Sequence, residues 1–437
     1  MPLANSILRY SYLAILLLVS GTILMSCSRV ALEGDRQNRS IRIKKAHKGT
    51  IKIQFELINN LIVVPVRIND SDTLKFVLDT GAGRTVITEL GSEQSFEIVY
   101  EGDIMLNGLG SSGAVPALIS RNNEIFLRGV EGENHTVVFI LEGRFNLSNY
   151  MGTQVNGLLG YDIFENFIVE IDYDESRIYL HDPDAFKEEY NIRKEDKSWT
   201  YVPLYTQDNK LYVDIKITQS NNSEINARLL VDSGASHTVF LYPDTSEDVV
   251  IPPNHIESYL GTGLGGEIYG KIGKARKAEL QGIELLDPVI SYPDMEAVEQ
   301  AIGRDSRNGS VGADLLKKFD IIYNYADSSM LIKPNRNFND KFRYNTSGIE
   351  ITTPLLNFPY YVISEIRKNS PADKAGLKKG DVIVEVDYER VYQFTLNELL
   401  DLFHSSEKTV KVYIQRESKF LDFDLELTDI LKLDPYF

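Results

Sequence analysis

Asp79 and Asp232 occupy matching settings in this 437-residue chain. Asp79 follows the apolar run Leu74-Lys75-Phe76-Val77-Leu78 and precedes Thr80-Gly81-Ala82; Asp232 follows Ala227-Arg228-Leu229-Leu230-Val231 and precedes Ser233-Gly234-Ala235. An aspartate at the end of an apolar strand, with glycine two positions later, sits on a tight turn where another chain can approach closely. The adjacent hydroxyl can donate and accept, so it can brace an opposite turn while the carboxylate faces outward. If the two turns face each other, both carboxylates cannot ionise easily: one pKa rises and the pair shares a proton. One carboxylate can then act as base on a water while the other protonates a substrate carbonyl oxygen. The same strings also admit a plainer reading, in which each aspartate caps an ordinary turn of a β domain. A third reading keeps the scaffold as a binder that does no chemistry.

The segments that would position these turns are duplicated too. Asn156-Gly157-Leu158-Leu159-Gly160-Tyr161-Asp162 matches Asn308-Gly309-Ser310-Val311-Gly312-Ala313-Asp314, and the glycine-rich Asn107–Ser112 matches Gly263–Glu267. The separations are 153 (79 to 232), 152 (160 to 312) and 155 (108 to 263). Three signals in one order at nearly one spacing argue for an internal repeat. Residues 61–68, 168–173, 211–217 and 321–325 are rich in β-branched and aromatic residues and read as strands. Helices are expected only at 161–166, 313–318 and near 293–302. The charged stretch 181–198 breaks the strand pattern and divides two β lobes of similar size, 49–185 and 199–335.

This constellation resembles the aspartic proteases, in particular the bacterial retropepsin-like type with two homologous lobes on one chain. The resemblance covers about residues 50–335 and implies a mainly β, bilobal fold of the pepsin and retropepsin type. It implies an endopeptidase acting on a peptide or unfolded protein without cofactor or metal, with Asp79 and Asp232 as the catalytic pair. By the same resemblance Thr80, Gly81, Ser233 and Gly234 support the dyad. Leu109 with Gly110, and Leu264 with Gly265, fall near the tips of two flaps. A flap signal in each half is closer to a fused retropepsin dimer than to pepsin, which has one. Two departures stand out: polar Ser310 opens the second hydrophobic-glycine motif, and no tyrosine occupies a pepsin-like flap position.

Beyond a polar run ending at Ser347, read as a linker, lies a small α+β unit over 346–437. Strands are expected at 360–366 and 380–387, and a short helix over 370–377 ends at glycine. Thr395 to Glu398 forms a capping box that opens a second helix through His404. Residues 408–416 and 420–427 form a hairpin. The strings Ser370-Pro371-Ala372, Ala375-Gly376-Leu377 and Gly380-Asp381 resemble a PDZ domain, which implies a peptide ligand added as a strand beside a helix. Such a unit would recruit or gate substrate, or serve only as a structural cap. Leu356-Asn357-Phe358-Pro359-Tyr360 stands where that family carries its carboxylate-binding loop, and Pro359 has no N–H to donate. An internal peptide or an intramolecular partner therefore stays open beside a free C-terminus.

Residues 1–26 carry one charge, Arg9, and an apolar run over Tyr12–Val19, a signal-peptide pattern. Leu24-Met25-Ser26-Cys27 resembles a bacterial lipobox. That resemblance implies a lipid anchor on Cys27, a tether over 27–48, and a membrane-held lipoprotein of the bacterial cell envelope facing periplasm or exterior. Otherwise the signal is cut nearby and Cys27 is incidental. Cys27 is the only cysteine, so neither an internal disulfide nor a multi-cysteine zinc site is available. Lys plus Arg number 46 against 63 Asp plus Glu, and a net charge of −17 disfavours nucleic acid. No serine lies in a Gly-x-Ser-x-Gly context, and no His-Glu-x-x-His is present. His237, five residues past Asp232, reads as a wall residue and not a base.

Overall fold

The computed structural model describes residues 41–44, 48–90, 99–140, 145–302, 307–356, 358–405 and 407–433. The expected signal and Cys27 lie outside the described residues. β-Branched and aromatic segments become strands of four sheets: nine-stranded in the first lobe, ten-stranded in the second, six-stranded beneath both, and six-stranded in the C-terminal unit. In the first lobe, Leu74–Leu78 pairs in parallel with Gly157–Leu159, whose other edge pairs antiparallel with Thr85–Ile87. The second lobe repeats this with Glu224–Asp232, Gly309–Gly312 and Val239–Leu241.

The repeated Asn-Gly pair has a structural cause. Asn156 Oδ1 accepts the Lys75 N–H at 3.0 Å, and Asn308 Oδ1 accepts the Arg228 N–H at 2.9 Å, so each asparagine anchors the strand leading to an aspartate turn. A Cβ on Gly157 or Gly309 would lie 1.9 Å from the carbonyl oxygen of Val86 or Phe240, which no side chain tolerates.

The sheet beneath the lobes takes Thr50–Gln54, Ile168–Asp172 and Arg177–His181 from the first half, and Thr200–Pro203, Phe319–Asn324 and Ser329–Pro334 from the second. The halves join where Val169, Glu170 and Ile171 face Tyr323, Ile322 and Ile321 in antiparallel register. One apolar core, including Phe76, Ile171, Val231 and Ile321, runs through both lobes. A shared core of this kind fixes the angle between the halves, and with it the distance between the aspartate turns.

Several segments differ from expectation. Ile41–Ile43, within the expected tether, forms a strand along Val130–Ile140, with Ile41 buried. The charged boundary holds a helix, Pro183–Glu195, capped by the Asp182 side chain and gripping the lobes through buried Phe186 and Tyr190. A further short helix covers Leu147–Met151. The run read as a linker is packed. Buried Lys318 donates from Nζ to the carbonyls of Asn337, Phe338 and Asp340, and Phe342 and Tyr344 are buried.

The C-terminal unit has its own core of Ile363, Val386, Leu399 and Phe403, with the helices Pro371–Ala375 and Leu396–Phe403 packed on its sheet. The Thr395–Glu398 capping box forms reciprocally. Its sheet begins with an edge strand, Ile349–Thr352, within the expected unit but not itself expected, paired to Tyr361–Ile366. Among the described residues no helix is long and apolar enough to cross a membrane.

Candidate active site

The two parallel ladders end at the aspartate turns and bring them together across the lobe boundary. Thr80 Oγ1 donates to the Val231 carbonyl at 2.7 Å and accepts the Ser233 N–H at 2.9 Å. Reciprocally, Ser233 Oγ donates to the Leu78 carbonyl at 2.8 Å and accepts the Thr80 N–H at 3.0 Å. Both hydroxyls are 1% exposed, so each satisfies two backbone groups of the opposite lobe that water cannot reach.

The carboxylates are held by their own turns. Asp79 Oδ1 accepts the N–H groups of Gly81 at 2.7 Å and Ala82 at 3.1 Å, and Asp232 Oδ1 accepts the Gly234 N–H at 3.2 Å. Gly81 and Gly234 are glycines because the carboxylates fill the space beside them. A Cβ on Gly81 would lie 3.0 Å from Asp232 Oδ1 and 3.1 Å from Asp79 Oδ1, and one on Gly234 only 2.3 Å from Asp79 Cγ. Burial and then the neighbouring Asp232 push Asp79 up to about 7, against the pull of its two N–H donors. Asp232 is also raised by burial, opposed first by Arg307 and then by Lys210. Such a pair can share a proton; Lys210 opposes protonation of both carboxylates and Arg307 that of Asp232.

Leu109, Gly110, Leu264 and Gly265 lie at the tips of two hairpins, Tyr100–Leu106 with Val115–Leu127, and Ile256–Gly263 with Gly266–Lys274. The tips touch. The Gly265 N–H donates to the Leu109 carbonyl at 2.8 Å, and the Ser112 N–H to the Gly265 carbonyl at 2.6 Å. The first tip also leans on the helix Met295–Ile302, where the Gly110 N–H reaches the Ala297 carbonyl at 2.9 Å. Dyad and hairpin tips bound one cleft of about 1600 Å³.

His237 lines this cleft, yet its Nε2 lies 3.0 Å from Ser310 Oγ, its ring stacks on Phe240 at 3.7 Å, and burial pushes it down to about 3. The polar start of the second hydrophobic-glycine motif is therefore the partner of a half-buried neutral imidazole. Lys210 and Arg307 also line the cleft and were not anticipated. Lys210 follows Asp208-Asn209, whose φ of 50° and 63° make the turn between Tyr205–Gln207 and the next strand. An Asp-Asn pair between two strands could have signalled that turn. Nothing in the sequence marks Arg307, which reaches the dyad through the fold alone.

Comparison with known proteins finds two domain matches and a distant relative. An aspartyl protease family model matches residues 64–163, and a PDZ domain model matches residues 342–427. A curated protein, the serine protease HtrA-like protein of Staphylococcus haemolyticus (strain JCSC1435), is 27% identical over 191 residues, covering 42% of this chain. The chain spans about a quarter of that relative's length, 27%. The protein is thus mainly β and carries an aspartyl protease-like domain with a PDZ domain C-terminal to it.

Proposed function

We propose that this protein is an aspartic endopeptidase in which Asp79 and Asp232 share one proton and activate a water between them. The observation that carries the reading is the reciprocal Thr80–Ser233 lock, which holds two Asp-x-Gly turns from separate lobes face to face under two touching hairpins. Asp232, the carboxylate whose protonation Arg307 opposes, takes a proton from water as the oxygen attacks the substrate carbonyl. Asp79 gives its proton to the carbonyl oxygen, forming a neutral gem-diol. Breakdown returns a proton to the leaving amine nitrogen, cleaves the C–N bond and restores the singly protonated pair.

The relative's name raises a hydroxyl nucleophile instead. The Ser310–His237 pair in the cleft suits that poorly, because Ser310 is 1% exposed and an imidazole pushed down to about 3 is too weak a base for serine. The PDZ domain is proposed to recruit or gate peptide, and Cys27 to anchor the chain to an envelope membrane.

The test is cleavage of denatured β-casein by protein purified without residues 1–27, over a pH range of about 4 to 8. Asp79→Asn and Asp232→Asn should each lower turnover by about 100-fold or more. Cleavage that survives both single changes overturns the dyad; peptide binding without turnover in the wild type makes the protein a binder. Cys27→Ala should move the full chain from the membrane to the soluble fraction, and unchanged membrane association overturns the anchor.

A further inference from the structure

The PDZ domain is fastened to both lobes. The Asn397 side chain donates to the Leu57 carbonyl and accepts the Asn59 N–H, both at 2.8 Å, while Ile58 between them packs on the PDZ core. On the second lobe, Lys274 pairs with Asp429 at 2.7 Å, and Asn254 donates to the Ile430 carbonyl at 2.9 Å. Its edge strand Ile349–Thr352 and its helix Leu396–Phe403 run side by side in opposite directions. At one end the Ser347 N–H reaches the Phe403 carbonyl at 3.1 Å. At the other, Thr353 and Leu396 flank Gly152 of the first lobe, and the Thr353 N–H donates to the Asn149 carbonyl at 2.8 Å. The first lobe therefore plugs that far end with a backbone contact of the kind an added strand would make.

The flank of this groove opens into the space that holds the dyad. Asn345 and Glu350 from the strand side, and Asn397, Leu400, Asp401 and His404 from the helix side, line the same cleft as Asp79 and Asp232. A chain can thus reach the groove from the dyad without leaving the protein surface, while the route past Asn149 and Gly152 is filled.

We propose, resting on the endopeptidase reading, that the PDZ groove is a distal subsite of the cleft. Its occupant is the substrate itself: the extended segment on one side of the scissile bond lies between Ile349–Thr352 and Leu396–Phe403. The PDZ domain then measures substrate length on that side, which favours unfolded chains over short fragments.

The test uses peptides centred on the fastest-cut bond of β-casein: one of about 8 residues (~27 Å extended) and two of about 16, lengthened on either side. One of the longer peptides should exceed the short one in kcat/KM by about tenfold. Asp401→Trp, a bulky change at an exposed cleft position, should bring that ratio close to one. Tyr388→Trp, 80% exposed on the same domain and outside the cleft, should leave the ratio intact. A length ratio that persists in Asp401→Trp, or no length dependence on either side, overturns the proposal. A second arm needs no turnover: fluorescence anisotropy of the labelled longer peptide on Asp79→Asn protein should show Kd rising about tenfold when Asp401→Trp is added. An unchanged Kd overturns the subsite and leaves the dyad standing. If the wild type cuts nothing, labelled denatured β-casein takes the peptide's place, and a Kd raised by Asp401→Trp then overturns the dyad and leaves the subsite standing.

Discussion

At Asp79, burial and the adjacent Asp232 act in one direction, and both favour the protonated form. Its pKa rises from 3.8 to about 7, so the folded state binds this proton more tightly than the unfolded chain does. The stability tied to that proton is fully present below 3.8 and is lost as pH rises through about 7. Asp79→Asn, always neutral, should therefore melt at a higher temperature than the wild type at neutral pH, and calorimetry should show the gap closing toward pH 4. Turnover should fall on the alkaline side near 7, where the shared proton leaves; activity still rising well above that pH would remove the shared proton from the mechanism. Ser233→Ala strands the Leu78 carbonyl and the Thr80 N–H in a dry interface, a loss of about 2–4 kcal/mol by urea unfolding, whereas Ser233→Thr should retain most of the stability.

Among the elements, the two hairpins over the cleft were marked in the chain by glycine clusters, because a reverse turn needs backbone freedom where it happens. Gly110 shows the requirement directly: its φ is +129°, and a Cβ there would lie 2.2 Å from the Gly265 backbone. Gly110→Ala should hold the two tips apart, lowering kcat/KM by about 10- to 100-fold with little change in melting temperature. A large fall in melting temperature instead would make the tip a folding element and not a roof. The helix Pro183–Glu195 gave almost no periodic signal, because only Phe186 and Tyr190 of its 13 residues are buried. Ile41–Ile43 was equally obscure: a three-residue strand acquires meaning only from the long Val130–Ile140 edge it joins.

For the molecule as a whole, the run 336–347 illustrates how polarity can mislead. Its side chains are mostly polar, yet the run is not free in water: its carbonyls serve the ammonium of buried Lys318, and Phe342 and Tyr344 are buried. Lys318→Met should leave those carbonyls unsatisfied at a local cost on the order of 2 kcal/mol, and limited trypsin digestion should then cut near Lys341 and Arg343 sooner than in the wild type. Digestion at the wild-type rate would show that the strap is held by Phe342 and Tyr344 alone. That strap joins the Asn397 and Asp429 contacts in setting where the PDZ domain sits, and hence which of its faces meets the cleft.

The repeat, the two aspartate turns, the bracing hydroxyls and the PDZ strings could all be read along the chain, since each depends on backbone geometry or hydrogen-bonding capacity that residue type sets within a few positions. The positive charge that Lys210 and Arg307 bring to the cleft of the two aspartates, the His237–Ser310 pair, and the PDZ wall of the cleft could not. They join residues tens to hundreds of positions apart, and only the shared core of the lobes and the docking of the third domain make them neighbours.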